Sequence, residues 1–292
     1  MKPAPFDYLA PESIADAVAA LSEYGGQAKI LAGGQSLIPM LAFRIARPAA
    51  LIDLGRVPGL TGIRFEGDSI AIGAMTTHRS VELNEELNGR CPMVADALAV
   101  LGHVAIRNVG TVGGSLAHAD PAAEWPALAL ALDASMAVAG PHGERSVPIA
   151  DFLTGWMTTA LLPEEVLVGV EFLLPPAGTG SAFLEVARRH GDFALAGAAV
   201  ALGIEDGLVS HVRIALLGVG MTAVRANEAE DLLAGREPTL EAFDTAADAI
   251  GPSIQPLDDQ QGTADYKRHL SRVLTIRALR IAQQRATDGA NG

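Results

Sequence analysis

Hydrophobic and polar positions change period several times along the chain, and the changes mark out its elements. Ser13 followed by Asp16 sets a capping box, after which Ile14, Ala17, Val18 and Leu21 fall on one helical face. Gly25–Gly26 ends that helix. Lys29–Leu31 then forms a short strand leading into a glycine-rich turn, and a second strand, Ala50–Leu54, follows the basic segment from Arg44 to Arg47. Residues 5–60 therefore read as a small α/β unit. Ile63–Phe65, Gly67–Asp68 and Ile70–Ile72 spell a hairpin. Helix is expected again near Ser80 and from Pro92 to about Leu101, where Met93, Ala97 and Val100 share a side. A second glycine turn leads to a helix over Pro121–Leu132, with Asp120 or Pro121 at its start. Strands at Ser135–Ala139 and Val166–Leu173 close this larger unit.

Pro175 to Gly180 is the strongest linker signal. Beyond it, Phe183–Val186, Ala194–Leu202 and Val209–Leu217 alternate as an antiparallel sheet does. Helices are expected over Thr222–Leu233, Thr239–Ile250 and Tyr266–Gln283. The pattern predicts a first domain over 1–177, with subdomains of about 1–58 and 59–177. A second domain follows over 178–287, and a flexible tail over 288–292.

Composition narrows what such a chain can be. At 292 residues it is long enough for more than one core, and no stretch approaches eighteen uncharged apolar residues, so no membrane span is expected. The net charge of −13 argues against a nucleic-acid surface, which needs clustered Lys and Arg. A single cysteine, Cys91, cannot hold a [2Fe–2S] cluster or a disulfide framework, and no metal-ligand spacing is present. Met1–Lys2–Pro3 opens no basic, hydrophobic secretory leader. No G-x-S-x-G or H-E-x-x-H pattern occurs, so any chemistry must be carried by a cofactor.

Two stretches remain that point to a ligand. Ala32–Gly33–Gly34–Gln35–Ser36–Leu37 and Thr111–Val112–Gly113–Gly114–Ser115 each place adjacent glycines and small hydroxyl residues between apolar flanks. Glycine lets a ligand approach the backbone, and successive N–H groups make a concavity for anions. Taken singly, either pair serves a tight turn equally well, and neither fits G-x-G-x-x-G or a Walker A loop. Side by side, the two would grip the pyrophosphate of a dinucleotide. Asp120 either accepts from a ribose hydroxyl or caps the helix behind it. His103 and His118 are candidates for cofactor contact or for packing. Arg107 offers a guanidinium fork to anchor the second turn. Arg188–Arg189–His190–Gly191–Asp192–Phe193 is either a strand end with a salt bridge or a lid from the second domain.

The ordered blocks resemble the flavin-binding medium subunit of molybdenum-containing hydroxylases, the group of aerobic carbon monoxide dehydrogenase and xanthine dehydrogenase. They are Phe6–Asp7–Tyr8, Ala32 to Pro39, Arg47–Pro48, Leu51 to Leu54, Ile72 to Thr77, Ile106 to Pro121, Arg188 to Ala194 and Tyr266 to Leu270. The resemblance implies an α+β chain: a two-part FAD-binding domain of the vanillyl-alcohol-oxidase (PCMH) type, then a small C-terminal domain of antiparallel sheet and helices. It implies that Ala32, Gly33, Gly34, Gln35 and Ser36, with Thr111, Gly113, Gly114 and Ser115, wrap the FAD pyrophosphate, and that Leu37 and Ala117 also belong to the cofactor-binding set. Asp120 would lie at the adenosine side, and Asp192 and Phe193 would approach the flavin. Family members often carry Asn at the position of Ser115 and some carry His at that of Gln35, both polar substitutes.

The implied partners are a small subunit with [2Fe–2S] clusters and a large subunit with the molybdenum cofactor, assembled as a dimer of heterotrimers. The implied electron acceptor is NAD, a quinone or oxygen. The expected location is the cytoplasm, or the inner face of the membrane by way of the complex. Two alternatives stand beside this reading: a self-contained FAD oxidoreductase of the same fold with its own organic substrate, and a non-enzymatic nucleotide-binding scaffold.

Overall fold

The computed structural model describes residues 2–290. Its first unit contains β1 (Asp7–Leu9), α1 (Ile14–Tyr24), β2 (Ala28–Leu31), α2 (Leu37–Ala42) and β3 (Ala50–Asp53). Ser13 Oγ accepts the Asp16 N–H at 3.0 Å, and Gly25, at φ +53, closes α1. The strands form a parallel sheet in the order β1-β3-β2. Ala17, Val18 and Leu21 of α1 bury against Ala50 and Ile52 of β3.

The second unit runs through β4 (Ile63–Glu66), β5 (Ser69–Gly73), α3 (His78–Glu82), α4 (Glu85–Arg90), α5 (Pro92–Val100), α6 (Val104–Arg107), α7 (Val112–His118) and α8 (Glu124–Ala131). It continues with β6 (Ser135–Gly140), β7 (Gly143–Pro148), α9 (Ile149–Phe152), β8 (Leu153–Gly155), β9 (Thr158–Thr159) and β10 (Val166–Leu173). The main sheet is antiparallel, in the order β4-β5-β10-β6-β7. Beyond Glu124 in its first turn, the central helix α8 is apolar on all sides, as befits a helix enclosed by sheet and helices.

The third unit holds β11 (Thr179–Ala187), β12 (Ala194–Glu205), β13 (Leu208–Leu217), β14 (Val224–Arg225), α10 (Asn227–Leu233), α11 (Leu240–Asp248) and α12 (Ala264–Ala290). β11 to β14 form an antiparallel sheet in sequence order. Side chains on a strand alternate between faces. Ala196, Ala198, Val200 and Leu202 of β12 accordingly face Leu270, Leu274, Ala278 and Leu279 of α12. Ala199 and Ala201 of β12, with Phe183 and Leu217, join the core of the second unit instead. One hydrophobic core therefore crosses the seam.

Three sequence expectations are corrected. The second glycine turn is the first turn of a helix, α7, because Thr111 caps it and packing makes up for the poor helix propensity of glycine. Residues 222–226 are not helical: Val224–Arg225 pairs with β13 as β14, and Arg225 is fastened by ion pairs to Glu230 and Asp133. The tail expected over 288–292 is helical as far as Ala290, and Asn291 and Gly292 lie outside the described residues. No helix among the described residues is long and apolar enough to cross a membrane.

At Gly180 α12 packs directly against the β11 backbone: a Cβ there would lie 2.0 Å from the Ala282 carbonyl oxygen. Gly180→Ala is expected to push α12 off β11 and cost on the order of 1–3 kcal/mol, lowering the urea midpoint. Gly155→Ala, where a Cβ meets nothing within 4 Å, should leave the midpoint unchanged.

Candidate functional site

The first glycine turn joins β2 to α2. Gly34 sits at φ +69, where a Cβ would come within 2.9 Å of Ile38 Cγ1. At Gly33 a Cβ would stand 2.2 Å from the Val109 carbonyl oxygen and 2.8 Å from Gly110 Cα. Only glycine lets the two turns meet backbone to backbone here. Among the described residues, no acceptor faces the main-chain N–H groups of Gly33, Gly34, Gln35 and Ser36. The Gln35 amide folds back onto the Gly33 carbonyl at 3.2 Å, and the Ser36 hydroxyl makes no cap bond to α2. Four consecutive donors without a protein partner, with a hydroxyl beside them, are suited to an anion. Leu37 opens α2 beside them, half-buried.

The second turn contributes differently from the expectation that both turns present main-chain amides. The Gly113 N–H already donates to the Ala74 carbonyl at 2.9 Å, the Gly114 N–H to Thr111 Oγ1 at 3.1 Å, and the Ser115 N–H to the Thr111 carbonyl at 3.0 Å. Gly113 is glycine for packing: a Cβ would lie 2.5 Å from that of Ala74. A Cβ on Gly114 would meet Ala32 Cβ at 3.5 Å, so α7 starts against the first turn. What remains for a ligand is hydroxyl chemistry. Ser115 Oγ has no partner among the described residues, and Thr111 Oγ1 retains its proton while capping. Ala117 lies exposed on α7, and Ala119, at φ +52, ends it.

Two buried groups hold the second turn. Arg107 forks onto Glu82 (Nε to Oε2, 3.0 Å; a terminal nitrogen to Oε1, 3.1 Å) and donates to the Leu101 and Gly102 carbonyls, both at 3.0 Å. The His78 N–H donates to the Gly110 carbonyl at 2.9 Å, and its Nδ1 accepts from Trp125 Nε1–H at 3.0 Å. Burial pulls the His78 pKa down to about 4, with the Arg107 charge adding to the effect, so the ring is neutral. No local pattern marks this His78–Trp125 pair, whose members stand 47 positions apart.

Asp120 turns the chain toward α8. Its Oδ1 accepts the Ala122 N–H at 2.9 Å, while the helix cap itself is Ala123, not Asp120 or Pro121. The segment ending in Asp192 and Phe193 packs across the seam instead: a Cβ on Gly191 would lie 2.8 Å from His103 Cε1, and the His103 and His190 rings meet edge-on at 6.2 Å. Phe193 is exposed, and among the described residues no hydrogen bond joins Asp192 or Phe193 to either turn.

Sequence reasoning missed two carboxyls. Glu124, in the first turn of α8, is pushed up to about 7 by burial, with the Asp120 charge adding. Glu185, on β11, is pushed up to about 8 by burial and then by Glu124, and its Oε2 is buried without a partner. Glu124 lies four residues beyond Asp120, a position that could have been read from the sequence; nothing local marks Glu185. The unpartnered amides of the first turn and the hydroxyls of the second together fit a ligand with a charged linker, as a flavin dinucleotide is.

Raised carboxyl pKa values mean that the folded state keeps protons which the unfolded chain has lost above its ordinary value of 4.5. The stability they contribute is complete below that value and is lost as pH rises through about 7 and 8. His78 acts in the opposite sense and only below its ordinary 6.5. Between pH 6.5 and 9 the thermal midpoint should therefore fall with rising pH, and fall less steeply in Glu185→Gln. Equal slopes would contradict the assignment.

Comparison with known proteins gives the family. Residues 4–175 match the family described as the FAD binding domain in molybdopterin dehydrogenase, and residues 181–282 match the CO dehydrogenase flavoprotein C-terminal domain. The chain is 43% identical over 289 residues to the 6-hydroxypseudooxynicotine dehydrogenase complex subunit alpha of Paenarthrobacter nicotinovorans, covering 98% of this chain and 97% of that protein. It is 41% identical over 285 residues to the carbon monoxide dehydrogenase medium chain of Hydrogenophaga pseudoflava, covering 98% and 99%. Among solved structures, a Hydrogenophaga pseudoflava carbon monoxide dehydrogenase chain superposes with a TM-score of 0.95 at 43% identity, covering 98% of this chain and 99% of that one. A quinoline 2-oxidoreductase chain from Pseudomonas putida 86 gives 0.92 at 38%, covering 99% of each. Fold, family match and relatives spanning nearly the full length agree: the chain belongs to the FAD-binding medium subunits of the molybdenum hydroxylases.

Proposed function

We infer that this chain holds FAD between its two glycine turns and relays electrons within a heterotrimeric molybdenum hydroxylase. It would take them from the [2Fe–2S] clusters of a small subunit and pass them to an external acceptor such as NAD, a quinone or oxygen. A large subunit would hold the molybdenum cofactor and oxidise the substrate. The observation that carries this reading is the row of orphan N–H groups from Gly33 to Ser36, set against the start of α7. Similarity to medium chains named for carbon monoxide dehydrogenase supports the assignment to a complex.

Within the site, Gly33, Gly34, Gln35 and Ser36 would donate to the phosphates, with Ala32 and Leu37 as apolar walls. Thr111 and Ser115 would add hydroxyl donors, while Gly113 and Gly114 let α7 pack close enough to present them. Ala117 and Asp120 would border the nucleotide end, and Asp192 and Phe193 would reach the flavin from the loop before β12. FAD suits the role because it accepts electrons singly and releases them in pairs. The chain's own part is to bind, orient and shield it.

The Ser36 hydroxyl has no protein partner, so removing it should not disturb the fold. Ser36→Ala is expected to weaken FAD binding by roughly tenfold or more, the worth of one hydrogen bond to a charged group, with an unchanged thermal midpoint of the FAD-free chain. Fluorescence titration of the FAD-free chain measures this. The relay itself is tested by purifying the native complex through a tag on this chain. Molybdenum, iron and FAD should co-elute, and removal of the flavin should abolish turnover with the physiological acceptor while leaving dye reduction at the other subunits. A chain that purifies alone and turns over an organic substrate would overturn the reading.

A further inference from the structure

β11 is an edge strand of the third unit's sheet, and its outer edge is covered along only part of its length. The Phe183 N–H donates to Asp96 Oδ2 on α5 at 3.2 Å, and the Ser181 carbonyl accepts from the Arg285 guanidinium at 2.5 Å. Residues on a paired strand alternate between bonding their neighbour strand and pointing their N–H and C=O away from it. The two bonds therefore show which residues point outward: Ser181, Phe183 and Glu185. At Glu185 the cover ends. Among the described residues no hydrogen bond reaches its main-chain N–H or C=O from beyond the sheet. A register shift between Val186 and Ala187 closes the stretch, so the open edge is short, from the Phe183 carbonyl to Val186.

A groove of about 720 Å³ runs beside this open edge, between β11 and α12. Leu184 and Val186 lie on the α12 face of the sheet and give it an apolar floor. Arg277 and Arg280 form its wall on α12, both exposed, and neither has a carboxylate partner among the described residues. The contrast along the helix is sharp. Arg268, Arg272 and Arg285 are each paired with an aspartate. The Glu185 carboxyl does not answer the two free arginines, because strand alternation puts it on the opposite face with Phe183. Asp288, near the end of α12, is the other carboxylate bordering the groove, and it pairs with neither arginine.

The chemistry of the groove selects its occupant. A small anion would meet the arginines and leave the strand edge unpaired. A second copy, joined β11 to β11 about a two-fold axis, would satisfy the edge but bring the two α12 helices side by side, arginines against arginines. An extended segment of a different chain satisfies both: its main chain pairs with the edge, and its carboxylates meet the guanidinium groups. We propose that the open edge of β11 and the groove along α12 receive an extended, carboxylate-bearing segment of another subunit, added to the four-stranded sheet as a short fifth strand. Taking that segment from a subunit of the same complex rests on the assembly reading above. Its apolar side chains rest on Leu184 and Val186, and its acidic ones reach Arg277 and Arg280. Left uncovered, an open strand edge of this kind invites non-specific pairing.

Amide hydrogen exchange in the purified native complex tests this. An outward-pointing amide with no acceptor exchanges quickly, whereas one paired to an added strand is slowed by about 100-fold or more. The Glu185 amide should show that slowing in the wild-type complex. Arg277→Ser with Arg280→Ser should return it to fast exchange, with FAD content unchanged, since neither arginine touches the cradle. Arg268→Ser, outside the groove, should leave the slowing intact. A photo-crosslinking residue in place of Gln284, on the groove wall, should join this chain to an acidic segment of another subunit. A fast Glu185 amide in the intact wild-type complex, or a crosslink only to a second copy of this chain, would overturn the docking surface and leave the relay reading standing. A chain that purifies with no partner subunit would overturn the assembly reading and the proposal with it.

Discussion

The two glycine turns meet main chain to main chain, at Gly33 and Val109–Gly110. No side chain fits between them: a single Cβ at Gly33 would sit 2.2 Å from a carbonyl oxygen. That contact sets the distance between a parallel αβ unit and an antiparallel one, whose cores are otherwise largely separate. It also fixes which polar groups remain free. The first turn keeps its amides because its neighbour contributes packing and carbonyls there. The second turn spends its amides on Ala74 and Thr111 to start a helix, and keeps hydroxyls. The division of labour follows from the packing.

Much of this was legible in the sequence wherever a local rule governs the outcome. Ser13 and Asp16 capped α1, the Gly67–Asp68 turn between two alternating segments gave β4 and β5, and alternation gave β12 and β13. Elements set by distant partners were not legible. α7 contains two adjacent glycines and exists because Thr111 caps it and Ala74 receives it. β14 replaces an expected helix because Arg225 is pinned between Glu230 and Asp133, the latter 92 residues away. β7 is exposed along most of its length, so no apolar pattern announced it. The positions of the two glycine turns could be read, but their different chemistry could not, since it depends on who accepts each N–H.

The seam toward the third unit follows the same logic at larger scale. Small residues on β12 let its sheet serve two cores at once. Arg213 and Arg225 reach across to Asp133, and Arg285 reaches Asp96, so charge is paired wherever the seam is polar. Glu124 and Glu185 are the exceptions: carboxyls whose pKa burial raises, with no cation paired to them among the described residues. Uncompensated groups of this kind are costly in a scaffold; Glu124 feels the Asp120 charge, and Glu185 that of Glu124.

The central claim is that the amides of Gly33 to Ser36 grip the phosphates of a flavin dinucleotide. Amide hydrogen exchange measured with FAD and with riboflavin, which lacks the phosphates, addresses it directly. FAD should strongly slow exchange at these four positions and riboflavin should not. Saturating FAD that leaves their exchange unchanged would contradict the account.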